Sequence, residues 1–280
     1  MSLEEAISTH VQSGDLVGIG GLSFWRKPIS ACREIIRQKK KNLSICTFVG
    51  GIEIDMLVAA NNVSEVRACF VGMEIFGMAP NYRRAVESGL IKVSEETEAS
   101  IALGLKGSYL KVPFMPLKGM IGTDFPKIRR DIKQFEDPLG SGTQLMALPK
   151  IDLDVAIIHV PCADEYGNGN IAGAVWVDDD MAKTAKKTII TCERLVETED
   201  IRYLQGKAQL PMQTSDAVVK IPFGAHPTSC YDHYTFDALH IQEYLKMDFE
   251  EYKHKFINVK SHAEYLEHAG GAEMILNILL

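Results

Sequence analysis

The chain has 280 residues, enough for one large α/β domain or two small ones, which excludes a small scaffold held together by disulfides or metal. Apolar residues make up 46% and charged residues 24%, which excludes disordered and fibrous architectures. Lys plus Arg number 30 against 37 for Asp plus Glu, a net charge of −7 that lacks the basic footprint of a nucleic-acid or anionic-membrane binder, so a polyanionic ligand must be met locally.

The start, MSLEEAISTH, is acidic rather than basic and then apolar, and no apolar run reaches the roughly 18 residues of a membrane span. A cytoplasmic protein is expected. LVGIG (Leu16 to Gly20) reads as a buried strand, and PISACREIIRQ (Pro28 to Gln38) as a helix with Ile29, Cys32, Ile35 and Ile36 at helical spacing and Pro28 at its first position. LSICTFV is the next strand, IDMLVAANN a short helix and VRACFVG a third strand. This βαβαβ alternation predicts an open, mostly parallel sheet with helices on both faces. A helix is expected over Glu95 to Gly107, followed by VPFMPL. From Ile121 to Gly142 charge, Gly and Pro dominate, which predicts a surface excursion within a single domain of residues 1–280. The α/β rhythm is expected to resume at QLMAL, then DVAIIHV, a turn at ADEYGNGN, a helix around Met181 to Ala185 and the strand KTIITCE. DAVVKIPF reads as strand-like, and FEEYKHKF and AEYLEHAGGAEMILNIL as a helical tail.

The six cysteines are scattered without CxxC spacing, the pattern of reduced structural thiols. Cys46, Cys69 and Cys192 sit in apolar strand-like runs, where cysteine acts as a small hydrophobe. Cys162 and Cys230 lie in turn-like segments near His159 and His226 in sequence, which leaves a thiol nucleophile open. No Cys, His and carboxylate cluster has a recognised metal spacing, and Glu264 with His268 reads as a helix surface pair.

Gly20 and Gly21 close the first strand ahead of Arg26, Lys27 and a helix start. Glycines permit positive φ and close backbone approach, a helix start offers free N–H groups, and the two cations add charge, so the segment suits an anion or is simply a tight turn. It fits neither GxGxxG nor GxxxxGK[ST]. Gly50 and Gly51 end the second strand and Gly72 the third, so three consecutive strand ends point to one crevice. In SEETEAS the carboxylates suit a helix first turn capped by Ser94 or Thr97. The functional alternative turns Glu98 inward beside IALGL, as a base or nucleophile tuned by burial. Asp164 to Asn170 reads as a turn, and His159 as a satisfied strand histidine. The loop from Pro222 to Tyr231 concentrates functional side chains, among them His226, without a carboxylate at motif spacing.

Taken together, VQSGDLVGIGGLSFWRKP, the GG before IDML, VPFMPL, LDVAIIH with ADEYGNGN, KTIITCERLV and PFGAHPTSCYDHY resemble the α subunit of class I coenzyme A transferases, most nearly that of the glutaconate CoA-transferase group. The resemblance covers nearly the whole chain. It implies an open α/β fold, pairing with a homologous β subunit in an αβ hetero-oligomer, and an active site at their interface. It further implies that a β-subunit glutamate attacks an acyl-CoA, becomes a glutamyl-CoA thioester and passes CoA to a small carboxylic or dicarboxylic acid. Coenzyme A would then be substrate, with no bound cofactor, and Gly20, Gly21, Arg26, Lys27, Gly50, Gly51 and His226 would form the acyl or CoA side of the site. Ring-opening hydrolase α chains are similar too. Fifteen residues before Pro113 the glutaconate type carries an amide and the hydrolases a glutamate, and this chain has Glu98. Two alternatives therefore stand beside the transferase: a cyclic β-oxo acyl-CoA hydrolase with Glu98 catalytic, and a non-catalytic acyl-CoA or sugar-phosphate binding protein.

Overall fold

The structure, a computed structural model, describes residues 1–204 and 207–278. Its first half runs α1 (Leu3–His10), β1 (Leu16–Leu22), α2 (Ile29–Arg37), β2 (Leu43–Gly50), α3 (Ile52–Ala59), β3 (Val63–Val71), α4 (Pro80–Glu87), β4 (Lys92–Glu95) and α5 (Glu98–Tyr109). Next come β5 (Phe114–Leu117), α6 (Phe125–Ile128), β6 (Lys133–Glu136), β7 (Gln144–Pro149), β8 (Val155–Ala163), β9 (Gly169–Asn170), α7 (Asp178–Thr184), β10 (Lys187–Leu195), α8 (Thr198–Tyr203) and β11 (Ala217–Lys220). The last helices are α9 (Ala238–Lys246), α10 (Phe249–Tyr252), α11 (His262–His268) and α12 (Ala272–Leu276).

The main sheet has the order β11-β10-β8-β1-β2-β3-β4, all parallel, with β9 added antiparallel to β8. The chain winds outward from β1 to β4, then crosses back to β8 on the other side of β1. The strand order therefore reverses between β1 and β8, the place where open α/β sheets form a ligand crevice at the carboxyl ends. Helices cover both faces, as the alternation of Val155 and Ile157 with Ala156, Ile158 and Val160 in β8 requires. Val155 and Ile157 join the core under α1, α2 and α3, and the other three pack in the cluster with Ile101 and Leu105 of α5 and Met181 of α7.

Three expectations are corrected here. QLMAL does not resume the parallel rhythm: β7 is the centre of a separate antiparallel sheet, β5-β7-β6, that also takes up VPFMPL. Ile132, Met146 and Leu148 give it a small core of its own, against Leu103 of α5. Pro28 caps α2 rather than opening it. The tail pattern from Ala263 is broken at Gly270 and Gly271, both at positive φ, into α11 and α12, and its last residue, Leu279, lies outside the described residues. No helix among the described residues is long and apolar enough to cross a membrane.

Candidate functional site

At the carboxyl end of β1, pairing passes from Ile19 with Thr47 to Leu22 with Val49, so Gly20 and Gly21 form a bulge with one extra residue. Gly21 has φ +74°, and a Cβ there would lie 2.4 Å from the Trp25 carbonyl oxygen, so only glycine fits. A Cβ on Gly20 would meet Asp178 Oδ1 and Ile158 Cγ1, each at 3.1 Å.

The two cations that follow turn inward. Arg26 Nη1 pairs with Asp178 Oδ2 at 2.7 Å and donates to the His159 carbonyl oxygen at 3.1 Å, while Nη2 donates to the Ala174 carbonyl oxygen. Lys27 Nζ meets Glu53 Oε1 at 3.0 Å and donates to Thr47 Oγ1 at 2.9 Å and the Gly21 carbonyl oxygen at 3.2 Å. The same carboxylates take the glycine N–H groups. Gly21 N–H donates to Asp178 Oδ1 at 2.9 Å, and Gly51 N–H donates to both Glu53 oxygens. The crevice where the strand order reverses is thus filled by the Arg26–Asp178 pair. Gly21, Gly51, Arg26 and Lys27 act as internal braces that hold the loop, with no cationic head or free N–H among these four groups turned to solvent.

His226 is fully buried. Its Nε2–H donates to Asp237 at 3.1 Å and its Nδ1 accepts from the Tyr265 hydroxyl at 2.6 Å, while burial pushes its pKa down. His159 is satisfied by Thr191 Oγ1 and Glu193. Burial pushes the Glu193 carboxyl up, but bonds from His159, Tyr234 and the Phe223 N–H outweigh it and hold it below the usual range. The trios His159, Glu193, Cys230 and His226, Asp237, His240 each bring three ligand-type atoms within 4.8 Å of one another. These hydrogen bonds occupy both ring nitrogens of His159 and His226, so the trios read as buried polar networks. Burial pushes both the Cys162 and Cys230 thiols up, the opposite of an activated nucleophile.

SEETEAS resolves against the inward reading of Glu98. Glu96 is the buried carboxylate, 2.6 Å from both Arg67 and Arg129 and bonded to Ser100 Oγ. Thr97 caps α5, and Glu98, its first residue, is exposed. Burial, and then the Glu98 charge, push the thiol of Cys69 in β3 up to about 12.

Several large apolar side chains are exposed along the strand ends. Trp25 is 49% exposed and Phe70 50%, with Ile75 and Met78 beyond them. Trp25 and Trp176 meet with ring centroids 6.3 Å apart, and the Arg26 guanidinium lies over Trp176. A cavity of about 370 Å³ opens beside Trp25, lined by Tyr231, His233 and Phe236 of the Pro222–Phe236 segment. A larger opening of about 600 Å³ at the ends of β8 and β10 is acidic, with Asp164, Glu165, Glu197 and Glu199 in its wall. Asp164 is held there by Asn168, the Tyr166 N–H and Thr198, as a turn residue should be. The sequence does not announce the Trp25–Trp176 pair or this cavity, because the two tryptophans are 151 positions apart, 176 − 25.

A family model described as coenzyme A transferase matches residues 1–220. The chain belongs to the coenzyme A transferase family. It is 31% identical to the A-type chain of glutaconate CoA-transferase from Acidaminococcus fermentans, over 98% of this chain and 93% of that protein. The crystal structure of that organism's glutaconate coenzyme A-transferase superposes with a TM-score of 0.91 at 30% identity, covering 99% of this chain and 94% of that one. The chain is also 29% identical to the IpdA chain of the cholesterol ring-cleaving hydrolase of Rhodococcus jostii, over 88% of this chain and 86% of that one. A protein of Archaeoglobus fulgidus is 37% identical over 98% of this chain, which spans 63% of its length. The resemblance to the transferase family and the open parallel fold expected from the sequence both hold.

Proposed function

We propose that this chain is the α subunit of a heteromeric CoA-transferase that moves CoA between an acyl-CoA and a small carboxylic acid. The observation that carries this reading is the near end-to-end match to the A-type chain of a glutaconate CoA-transferase. In the proposed reaction a β-subunit glutamate attacks the thioester carbonyl and releases CoA thiolate, leaving an acyl-glutamyl anhydride. The thiolate attacks the glutamyl carbonyl, releasing the first acid and forming glutamyl-CoA, and the acceptor carboxylate reverses both steps. This chain supplies the braced loops of β1 and β2, the apolar wall of Trp25, Trp176 and Phe70, and the cavity beside Trp25 for the acyl group. The acidic opening at β8 and β10 repels the phosphates of CoA, which supports a reading in which the nucleotide end lies elsewhere, against the partner. The test is to co-express the chain with a homologous β subunit, supply acyl-CoA and trap the thioester. A CoA-sized mass gain on a β-subunit glutamate is expected; free CoA and acid without an adduct would sink the transferase.

One observation favours a second reading. Glu98 is exposed and has no ion-pair partner among the described residues, which in this reading leaves its carboxylate open to substrate and water. Under that reading Glu98→Gln abolishes hydrolysis of a cyclic β-oxo acyl-CoA while leaving assembly intact.

A further inference from the structure

Arg33 and Ser30 sit three residues apart on one face of α2, 6% and 3% exposed. The Arg33 guanidinium carbon lies 3.2 Å from the centroid of the Tyr265 ring, and Nη2 donates to His262 Nδ1 at 3.3 Å. His262 Nε2–H donates to the Pro222 carbonyl oxygen at 2.6 Å, which fixes Nδ1 as the acceptor. Neither Arg33 Nη1 nor Ser30 Oγ has a hydrogen-bond partner among the described residues. Both residues line a cavity of about 40 Å³ between α2 and the segment carrying Phe256, Ser261 and His262.

The charge around this cavity does not cancel. Glu34, the one carboxylate in its wall among the described residues, is paired with Arg37 at 3.0 Å. Burial, and then the Arg33 charge, push the His262 pKa down to about 4, so its ring is neutral near pH 7. Arg33 is left as a buried cation that the Tyr265 ring answers in part and no carboxylate among the described residues answers, so an anion here would offset its remaining desolvation. Water would satisfy the two donors but not the charge. The space accepts an ion beside one or two waters, each water needing roughly 10–15 Å³, and is far too small for a nucleotide or an acyl chain.

We infer that this pocket binds a small inorganic anion of halide size, with Arg33 Nη1 and Ser30 Oγ as its donors. The site ties α2 to the C-terminal helices and is independent of the transferase reading.

The thermal midpoint of the full chain, measured at constant ionic strength while chloride replaces the bulkier isethionate, tests it. A midpoint that climbs with the logarithm of chloride concentration is expected, with the rise diminished in Ser30→Ala and absent in Arg33→Met. Should Arg33→Met fail to fold, the Ser30→Ala comparison still decides. Crystals soaked in bromide should show an anomalous peak between the two donors. A midpoint indifferent to the halide, or a rise unchanged in Ser30→Ala, overturns the inference. So does water density in place of the bromide peak, or a peak with no effect in solution.

Discussion

Arg26 and Asp178, 152 positions apart in the chain, form a 2.7 Å ion pair whose side chains are only 3% and 1% exposed. Asp178→Asn leaves a buried guanidinium short of its counter-charge, and Arg26→Met leaves the reverse. Each should cost about 3–5 kcal/mol in urea unfolding. The double variant should lose less than the sum, with a coupling of about 1–3 kcal/mol, because the second removal strips no further pair. Strictly additive losses would mean that the two charges do not depend on each other.

Gly21 and Gly14 make a matched comparison. Both have positive φ, but a Cβ on Gly14 meets nothing within 4 Å whereas one on Gly21 collides with backbone. Gly14→Ala should cost about 1 kcal/mol through conformation alone. Gly21→Ala should cost about 3 kcal/mol or more and shift the Trp25 loop. Equal losses in thermal unfolding would refute the collision.

The two carboxylates of SEETEAS should separate cleanly. Glu96→Gln weakens the partner of Arg67 and Arg129 and is expected to destabilise by about 2–4 kcal/mol. Glu98→Gln should leave stability within about 0.5 kcal/mol. Its effect on turnover then divides the two proposed reactions: thioester exchange survives it, and hydrolysis does not.

Acid should loosen the C-terminal helices early. His226, His240 and His262 all have depressed pKa values, burial being the largest cause of each, so the folded chain holds them neutral. Their stabilisation is complete above the unfolded histidine value of about 6.5 and is lost as pH falls below it. For His262, with a folded value of about 4, the loss across that window is up to about 3 kcal/mol. His262→Gln should flatten the slope of unfolding free energy between those pH values; an unchanged slope would remove His262 from the account.

On the proposed function, Trp25→Ala opens the wall of the cavity beside Tyr231 and Phe236. The KM for acyl-CoA should rise about tenfold, the kinetic equivalent of about 1.4 kcal/mol, with the far-ultraviolet spectrum unchanged. An unaltered KM would move the acyl group elsewhere.

The parallel sheet was legible because βαβ units are local: the apolar runs of β1, β2, β3, β8 and β10 and the helix pattern of α2 carry their periodicity in a dozen residues. The second sheet was not, since VPFMPL and QLMAL find each other across a charged stretch that conceals their pairing. The site was legible as a place and not as an arrangement. Glycines announced the strand ends, but nothing near Arg26 in sequence points to Asp178, and nothing near Lys27 singles out Glu53. A cation beside a glycine turn looks the same whether it faces a ligand or a buried carboxylate. Glu96 and Glu98 sit two apart around a helix start, and only Arg67 and Arg129, from distant elements, decide which goes inside.

Both of the chain's tryptophans, Trp25 and Trp176, lie side by side on the strand-end edge. Light selectively absorbed by indole is therefore emitted from that one face. The colour and quenching of this emission give an unlabelled optical reporter of whatever arrives there, whether acyl-CoA or a partner chain, without interference from the rest of the fold.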